Sequence, residues 1–256
     1  MRNNGKDSLG FEGKVVLITG AAKGIGKTTT LAFSEQSAKV VLVDVLEEEL
    51  KEVHEIIQKA GRKVLSIQGD VSDNSQVQDA VKKTIKVFGK IDVLVNNAGI
   101  DVGSAPILNV TEEMWDKSLQ VNLKSVFYFC KSVVPVMLEN GKGSIVNVAS
   151  IAGKEPNENM APYAVSKAGM ICFSRVLAKE VAKDGIRVNC VAPGLTKTDL
   201  LVNLSPEQFD RLLKKIPMGR VGYPEEVADL ILFLSSEKSS FITGQCFNIA
   251  GGRGEY

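Results

Sequence analysis

A chain of 256 residues, 44% hydrophobic and 24% charged, can bury roughly three quarters of its unfolded surface without cross-links, and its composition excludes a disordered or fibrous protein. With 31 basic against 30 acidic residues the net charge is +1, which excludes the broad electrostatic field that gathers nucleic acid or an anionic membrane. The single histidine, His54, lies in the charged stretch EEELKEVHEIIQKAG and rules out a histidine-rich metal site, while Cys130, Cys172, Cys190 and Cys246 lack the close pairs of zinc ribbons, so no metal is expected.

In chain order, the N-terminal MRNNGKDSLGFEGK has no apolar core of the kind a signal peptide needs, and residues 1–11 are expected to be flexible. No later run approaches the ~18 apolar residues of a membrane span. The isolated cysteines read as buried thiols in a reducing compartment, so a cytoplasmic protein is expected. From residue 14, short apolar runs alternate with longer amphipathic ones. KVVLIT is followed by a helical pattern to about Gln36, then AKVVLVDV and the helical LEEELKEVHEIIQKAG. KVLSIQGD, a helix, KIDVLVNNAG and a long helical region come next, then GSIVNVAS, another helix, IRVNCVAPG, two short helical stretches and QCFNIAGG. Continuous rather than alternating hydrophobicity in the strands points to a parallel sheet covered on both faces. About seven strands with helical crossovers predict one doubly wound α/β domain of the Rossmann type over 1–256. The least regular region, 195–216, follows a strand's C-terminal end, where open α/β sheets bind ligands, and is read as a substrate lid.

Directly after the first strand, TGAAKGIG (19–26) sets Gly20, Gly24 and Gly26 between a strand and a helix, where glycines allow a tight turn and close approach of a pyrophosphate to a helix N-terminus. Asp44 ends the second strand about 20 residues on, where a carboxylate accepts from adenosine ribose hydroxyls and repels a 2′-phosphate. This favours NAD over NADP. Lys23 beside the phosphates argues the other way, so NADP stays possible.

In APYAVSKAG (161–169), a helix would stack Tyr163 and Lys167 on one face. Taken alone, such a pair is a lysine stem packed along a surface ring. Ser150 alone is a cap, Asn122 in LQVNLKSV a polar residue on a wet helix face, and Asn96 with Asn97 a turn. Their joint appearance at strand ends and helix starts on one side of the sheet points to chemistry instead. A tyrosine is a poor base near neutrality, and lowering its pKa by about two to three units takes roughly 3–4 kcal/mol. Lys167 supplies one fixed positive charge and an oxidised nicotinamide a second. Tyr163 then serves as general base toward a secondary alcohol and as general acid in reverse, while Ser150 holds the substrate oxygen.

Together these residues resemble the short-chain dehydrogenase/reductase family in its classical form, from about 12 to 252. The matching motifs are TGAAKGIG, Asp70-Val71, NNAG (96–99), Asn122, Ser150, YAVSK (163–167) and Pro193-Gly194 with Thr198, and Ser150 precedes Tyr163 by thirteen residues. The resemblance implies that Asn122, Ser150, Tyr163 and Lys167 are catalytic, with Lys167 also on the nicotinamide ribose and Asn122 positioning a water that relays protons to the lysine. It implies Gly20, Lys23, Gly24, Ile25 and Gly26 at the cofactor's phosphates, and Asp70 and Val71 at its adenine. Asn97 and Gly99 would flank its middle, with Pro193, Gly194, Thr196 and Thr198 at the nicotinamide carboxamide. It further implies a homotetramer built partly from the helices at about 112–140 and 160–183. Ala250 departs from the family, many of whose members carry Asp or Asn there, and its effect is expected on subunit packing.

The reaction this implies is interconversion of a secondary alcohol and a ketone with NAD or NADP. GKEPNENMAP (153–162), between Ser150 and Tyr163, offers Glu155 and Asn157 as hydroxyl partners, and with Asp44 this favours a sugar, polyol or hydroxy acid as the small-molecule substrate. The alternative is reduction of 3-oxoacyl groups on acyl carrier protein or coenzyme A, an activity that in the family typically uses NADPH and basic residues near the mouth of the site. The places where arginines often occur correspond to Gly141 and Asp184, although Lys142 and Lys183 are adjacent. A nucleotide-sensing protein that has lost its chemistry is the reading from another class, and the intact reacting groups argue against it.

Overall fold

Seven strands run parallel in one sheet: β1 (Val15–Thr19), β2 (Lys39–Asp44), β3 (Val64–Gln68), β4 (Val93–Asn96), β5 (Gly143–Val148), β6 (Ile186–Pro193) and β7 (Cys246–Ile249). The computed structural model describes residues 9–198 and 205–254. Spatial order is β3-β2-β1-β4-β5-β6-β7, with Val16 of β1 in register with Val40 on one side and Val93 on the other. The chain therefore reverses its direction of travel between β1 and β4, and the crevice at their C-terminal ends is where such a sheet holds a ligand. The inner strands are buried on both faces, and this is the physical content of their unbroken apolar runs.

Each face has its own core. On one, Phe33 of α1 (Gly24–Glu35), Leu50, Val53 and Ile57 of α2 (Glu47–Lys59) and Val227 and Ile231 of α8 (Pro224–Ser235) pack on Val16, Ile18, Val40 and Leu42. On the other, α3 (Asn74–Phe88), α5 (Ser125–Glu139) and α6 (Ala161–Val181) cover Leu17, Val41, Leu94 and Ile145 through Val77, Phe129, Val133 and Met170. Local chemistry sets the ends. Asp73 caps α3 by accepting from the amides of Ser75 and Gln76, its carboxyl is held at about 2 chiefly by the Ser75 hydroxyl and the Gln76 side-chain amide, and Gly89 closes the helix in the left-handed region.

Three expectations need adjustment. Residues 1–8 lie outside the described residues, but Phe11, counted with the flexible N-terminus, is buried with its ring edge-on to Phe33 at 4.8 Å. The long helical region is not uniform: α4 (Glu112–Leu119) passes into α5 through a π-turn at Gln120–Lys124 that carries Asn122. The combined run Glu112–Glu139 is, by length and composition, apolar enough to cross a membrane, contrary to the sequence expectation. Its apolar residues serve two faces, one packed on the sheet through Phe129 and Val133 and one carrying the exposed Phe127 and Leu138, so hydropathy alone does not separate it from a span.

Candidate active site

At the β1 end, Gly20 takes φ +64° and turns the chain toward α1. The Asn97 amide donates to the Thr19 and Gly20 carbonyls at 3.0 and 2.9 Å, and a Cβ on Gly26 would stand 1.9 Å from the Gly20 oxygen. A side chain there cannot be accommodated, so the first turn of α1 (Gly24, Ile25, Gly26) lies directly on the loop. Lys23 makes no side-chain cap to this helix, and its first amides face the crevice as an anion cradle. That cradle fits a nucleotide pyrophosphate.

The second strand fits the adenosine half. Asp44 is buried, and its two oxygens accept from the Ala22 and Leu46 amides at 2.9 and 3.1 Å, which ties the glycine loop to the end of β2 and leaves each oxygen further lone pairs. Lys23 forms an ion pair with Glu49 at 2.8 Å, so its charge is already opposed by a second carboxylate beside Asp44. Asp70 is exposed and accepts from the Ser72 amide and hydroxyl at 2.8 and 2.7 Å, while Val71 is buried under it. Thr198 reaches back to the glycine loop, its methyl 3.3 Å from where a Gly24 Cβ would stand. Thr196 donates to the Gly194 carbonyl at 3.1 Å, and Gly194 donates to the Ile249 carbonyl at 3.0 Å. A Cβ on Gly194 would lie 2.9 Å from the Ala250 Cα, so Ala250 backs the Pro193-Gly194 turn of the site itself. Its departure from the family pattern therefore bears on this turn.

The reacting groups converge at the ends of β4 and β5. Lys167 is 3% exposed, donates to the Val148 carbonyl at 2.8 Å and stands 5.8 Å from the Tyr163 ring centroid. The Ser150 hydroxyl accepts from the Ala152 amide at 3.1 Å and lies near enough to the Tyr163 phenol to favour its ionised form, so the expected cap and the expected catalytic neighbour are the same atom. Gly99 lets β4's exit pass close: its missing Cβ would be 3.2 Å from both Lys167 Nζ and Asn122 Oδ1. Asn122 is not on a wet face. It is fully buried in the π-turn, accepts from the Ile100 amide at 2.8 Å and donates to the Ile100 carbonyl at 2.9 Å and to Ser166 Oγ at 3.1 Å. The π-turn turns this side chain onto the strand-end loop.

The electrostatics reverse one expectation. Burial pushes the Tyr163 phenol above its ordinary value, opposed by the Ser150 hydrogen bond and reinforced by the Asp101 carboxylate. Burial also pushes Lys167 down to about 8, with Cys190 holding it up slightly. The chain alone thus holds the phenol protonated rather than lowering it, because neither charge has the solvent or the second positive centre that would stabilise it. The two proton affinities, nearly equal in free side chains, are thereby separated, the phenol holding its proton more tightly than the ammonium.

Other sequence expectations land elsewhere. Glu155 accepts from Arg253 Nε at 3.1 Å, and Asn157 accepts from Arg253 at 3.2 Å and from Lys215 at 2.8 Å. The two side chains expected to meet substrate hydroxyls instead clamp loop 153–160 to the C-terminal segment. Arg253, 6% exposed, had no signal in the sequence. Gly141 and Gly185 meet at the N-terminal ends of β5 and β6, with a Gly185 Cβ 2.8 Å from the Gly141 oxygen. Gly141, Lys142, Lys183 and Asp184 therefore sit at the opposite end of the sheet from Ser150, and not at the mouth of this chain's site.

A family model described as enoyl-(acyl carrier protein) reductase matches residues 20–253. The chain is 46% identical over 242 residues to the 3-oxoacyl-(acyl-carrier-protein) reductase FabG of Thermotoga maritima, covering 94% of this chain and 98% of that protein. It is 40% identical to the (2S)-((R)-hydroxy(phenyl)methyl)succinyl-CoA dehydrogenase subunit BbsD of Thauera aromatica, over 96% and 98% of the two chains. Among solved structures, levodione reductase superposes with a TM-score of 0.91 at 33% identity, over 94% of this chain and 98% of that one.

Proposed function

The chain belongs to the short-chain dehydrogenase/reductase family, and from that premise we propose that it interconverts a 3-oxoacyl thioester and the matching 3-hydroxyacyl thioester, with NAD preferred over NADP. As a member of that family it is an oxidoreductase acting on CH–OH groups with a nicotinamide nucleotide. The observation that carries the substrate reading is the engagement of Glu155 and Asn157 by Arg253: the polar groups a sugar or polyol would need already have partners within the chain. Two relatives support it by name, one a reductase of 3-oxoacyl groups and one a dehydrogenase of a hydroxyl-bearing succinyl-CoA.

The nicotinamide, when bound, supplies or takes the hydride. In reduction, Tyr163 gives its phenolic proton to the carbonyl oxygen that Ser150 holds; burial keeps the phenol loaded but makes it a weaker acid, a cost the charge of Lys167 offsets as the proton leaves. Lys167 stabilises the phenolate left behind, and its own affinity for a proton near 8 lets it take part in reloading the phenol. Asn122 fixes the strand-end loop against both, and membership of the family implies that it also positions a water that relays protons to the lysine. Gly20, Lys23, Gly24, Ile25 and Gly26 receive the pyrophosphate, Asp44 the adenosine ribose, Asp70 and Val71 the adenine, Asn97 and Gly99 the middle, and Pro193, Gly194, Thr196 and Thr198 the carboxamide. Segment 195–216 acts as the lid. Residues 199–204 lie outside the described residues, but α7 (Pro206–Leu213) is tied to loop 153–160 by Arg211 on Glu158 at 2.9 Å.

Asp44 and the Glu49 that neutralises Lys23 both oppose a 2′-phosphate, which supports NAD. Nicotinamide absorbance with acetoacetyl-CoA, aldoses and polyols tests both readings together. The thioester should turn over and the sugars should not; turnover of sugars alone would sink the substrate reading. Asp44→Ala should lower the NAD:NADP ratio of kcat/KM by roughly tenfold, about 1.4 kcal/mol, and an unchanged ratio would remove Asp44 from the cofactor site.

A cytoplasmic homotetramer is the assembly we favour, because Phe127, Leu138, Val165 and Val176 leave α5 and α6 with exposed apolar side chains that a second copy would cover. Sedimentation equilibrium checks this: a mass of four chains is expected, and a monomer would overturn it.

A further inference from the structure

Behind the reacting groups, three buried polar side chains join α6 to the π-turn. Ser166 stands in α6 between Tyr163 and Lys167, Asn122 in the π-turn and Ser118 near the end of α4, and all three are shut off from solvent. Ser166 Oγ donates to the Tyr163 carbonyl at 2.7 Å and accepts from Asn122 Nδ2 at 3.1 Å. Ser118 Oγ accepts from the same Nδ2 at 3.3 Å and lies 3.5 Å from Ser166 Oγ.

The supply of protons fixes the direction of these bonds. A hydroxyl has one proton and the Tyr163 carbonyl can only accept, so Ser166 commits its proton there and presents a lone pair to Asn122. Asn122 therefore faces Ser166 with its NH2 group, which turns Oδ1 onto the Ile100 amide at 2.8 Å, while Nδ2 also reaches the Ile100 carbonyl at 2.9 Å. The point where a Gly99 Cβ would stand is 3.2 Å from both Asn122 Oδ1 and Lys167 Nζ. An orientation set at Ser166 is thus passed to the strand-end loop beside the lysine.

We propose that Ser166 is a positioning residue: through Asn122 it holds Gly99 and Ile100 against Lys167, and it ties that loop to the backbone of Tyr163. The inference rests on the reading of Tyr163, Lys167 and Asn122 as the reacting groups and deepens it. Ser166 is itself fully buried, so its effect reaches the crevice only through these partners. Without its hydroxyl, Asn122 Nδ2 keeps only the longer bond to Ser118 besides the Ile100 carbonyl, and a buried amide with a weakened partner no longer holds one orientation.

The test is Ser166→Ala with Ser166→Cys beside it, since a thiol fills the space but is a weak hydrogen-bonding group. With acetoacetyl-CoA, kcat should fall roughly tenfold in both variants, while KM and nucleotide affinity stay within about twofold of wild type. Hydrogen exchange, read by mass spectrometry on a peptide containing Ile100, should accelerate by a similar factor while peptides from β1 and β2 stay protected. In an Asn122→Ala background, Ser166→Ala should add nothing to the exchange at Ile100. An unchanged kcat in Ser166→Ala, full activity in Ser166→Cys, or unchanged exchange at Ile100 overturns the proposal. So does faster exchange throughout the sheet, or further acceleration at Ile100 in the Asn122→Ala background. Should the wild type turn over no substrate, the oxidoreductase reading fails on that result alone, and the exchange measurements decide Ser166 independently of turnover.

Discussion

Tyr163→Phe should lower turnover by about a thousandfold, the middle of the range for losing a positioned general acid, while the affinity for the nicotinamide nucleotide changes little. The substitution removes one oxygen. It deletes the proton donor and the hydrogen bond to Ser150, and leaves the glycine loop, Asp44 and the Lys167 bond to Val148 intact. Cofactor titration by calorimetry separates the two effects. A variant that keeps a tenth of wild-type activity would show that another group delivers the proton, and a variant that no longer binds the nucleotide would show that the hydroxyl itself holds the cofactor.

Lys167→Met should abolish activity and at the same time stabilise the free protein. Burial moves this lysine from its usual 10.5 to about 8, a penalty on the charged form of about 3 kcal/mol. Removing the ammonium relieves that penalty but leaves the Val148 carbonyl without its donor, at a cost of about 1–2 kcal/mol, so a net gain of about 1–2 kcal/mol is expected near neutrality. The sign with pH follows from proton binding. The unfolded lysine keeps its proton up to about 10.5 and the folded one only to about 8, so the penalty is complete below pH 8 and fades as pH rises between the two. The advantage of the variant should therefore be largest at pH 7, disappear at about pH 9–10 where the remaining penalty equals the cost of the lost Val148 bond, and reverse above about 10.5. Urea unfolding at several pH values measures it. A variant less stable than wild type at pH 7, or an advantage that grows with pH, would contradict the placement of a charged, poorly solvated lysine in this site.

Much of this site is readable from one dimension because its parts are set by local rules. The glycine loop, Asp44, Asn97, Ser150 and the Tyr163–Lys167 pair each sit at a strand end or in a helix's first two turns, and a parallel sheet delivers all strand ends to one side. Asn122 is buried in a π-turn and not on the wet helix face that its surroundings alone suggest, since a π-turn has no pattern that distinguishes it from an α-helical turn in sequence. The hydroxyl partners expected at Glu155 and Asn157 illustrate the opposite case. Their closeness in sequence to Ser150 and Tyr163 says nothing about Arg253, some 98 residues away, which takes them both.

By itself, then, the order of residues determined the parallel sheet and pointed to the crevice and the groups proposed to hold the nucleotide and to react, because period, turn chemistry and i, i+4 spacing act over a few residues. Tertiary structure alone decided the protonation balance of Tyr163 and Lys167, the burial of Asn122 against the strand-end loop, and the capture of loop 153–160 by Arg253. Each of these depends on burial or on a charge brought in from a distant segment. Desolvation and Coulomb interaction depend on distance through space, and the distances between segments far apart in sequence exist only once the chain has folded.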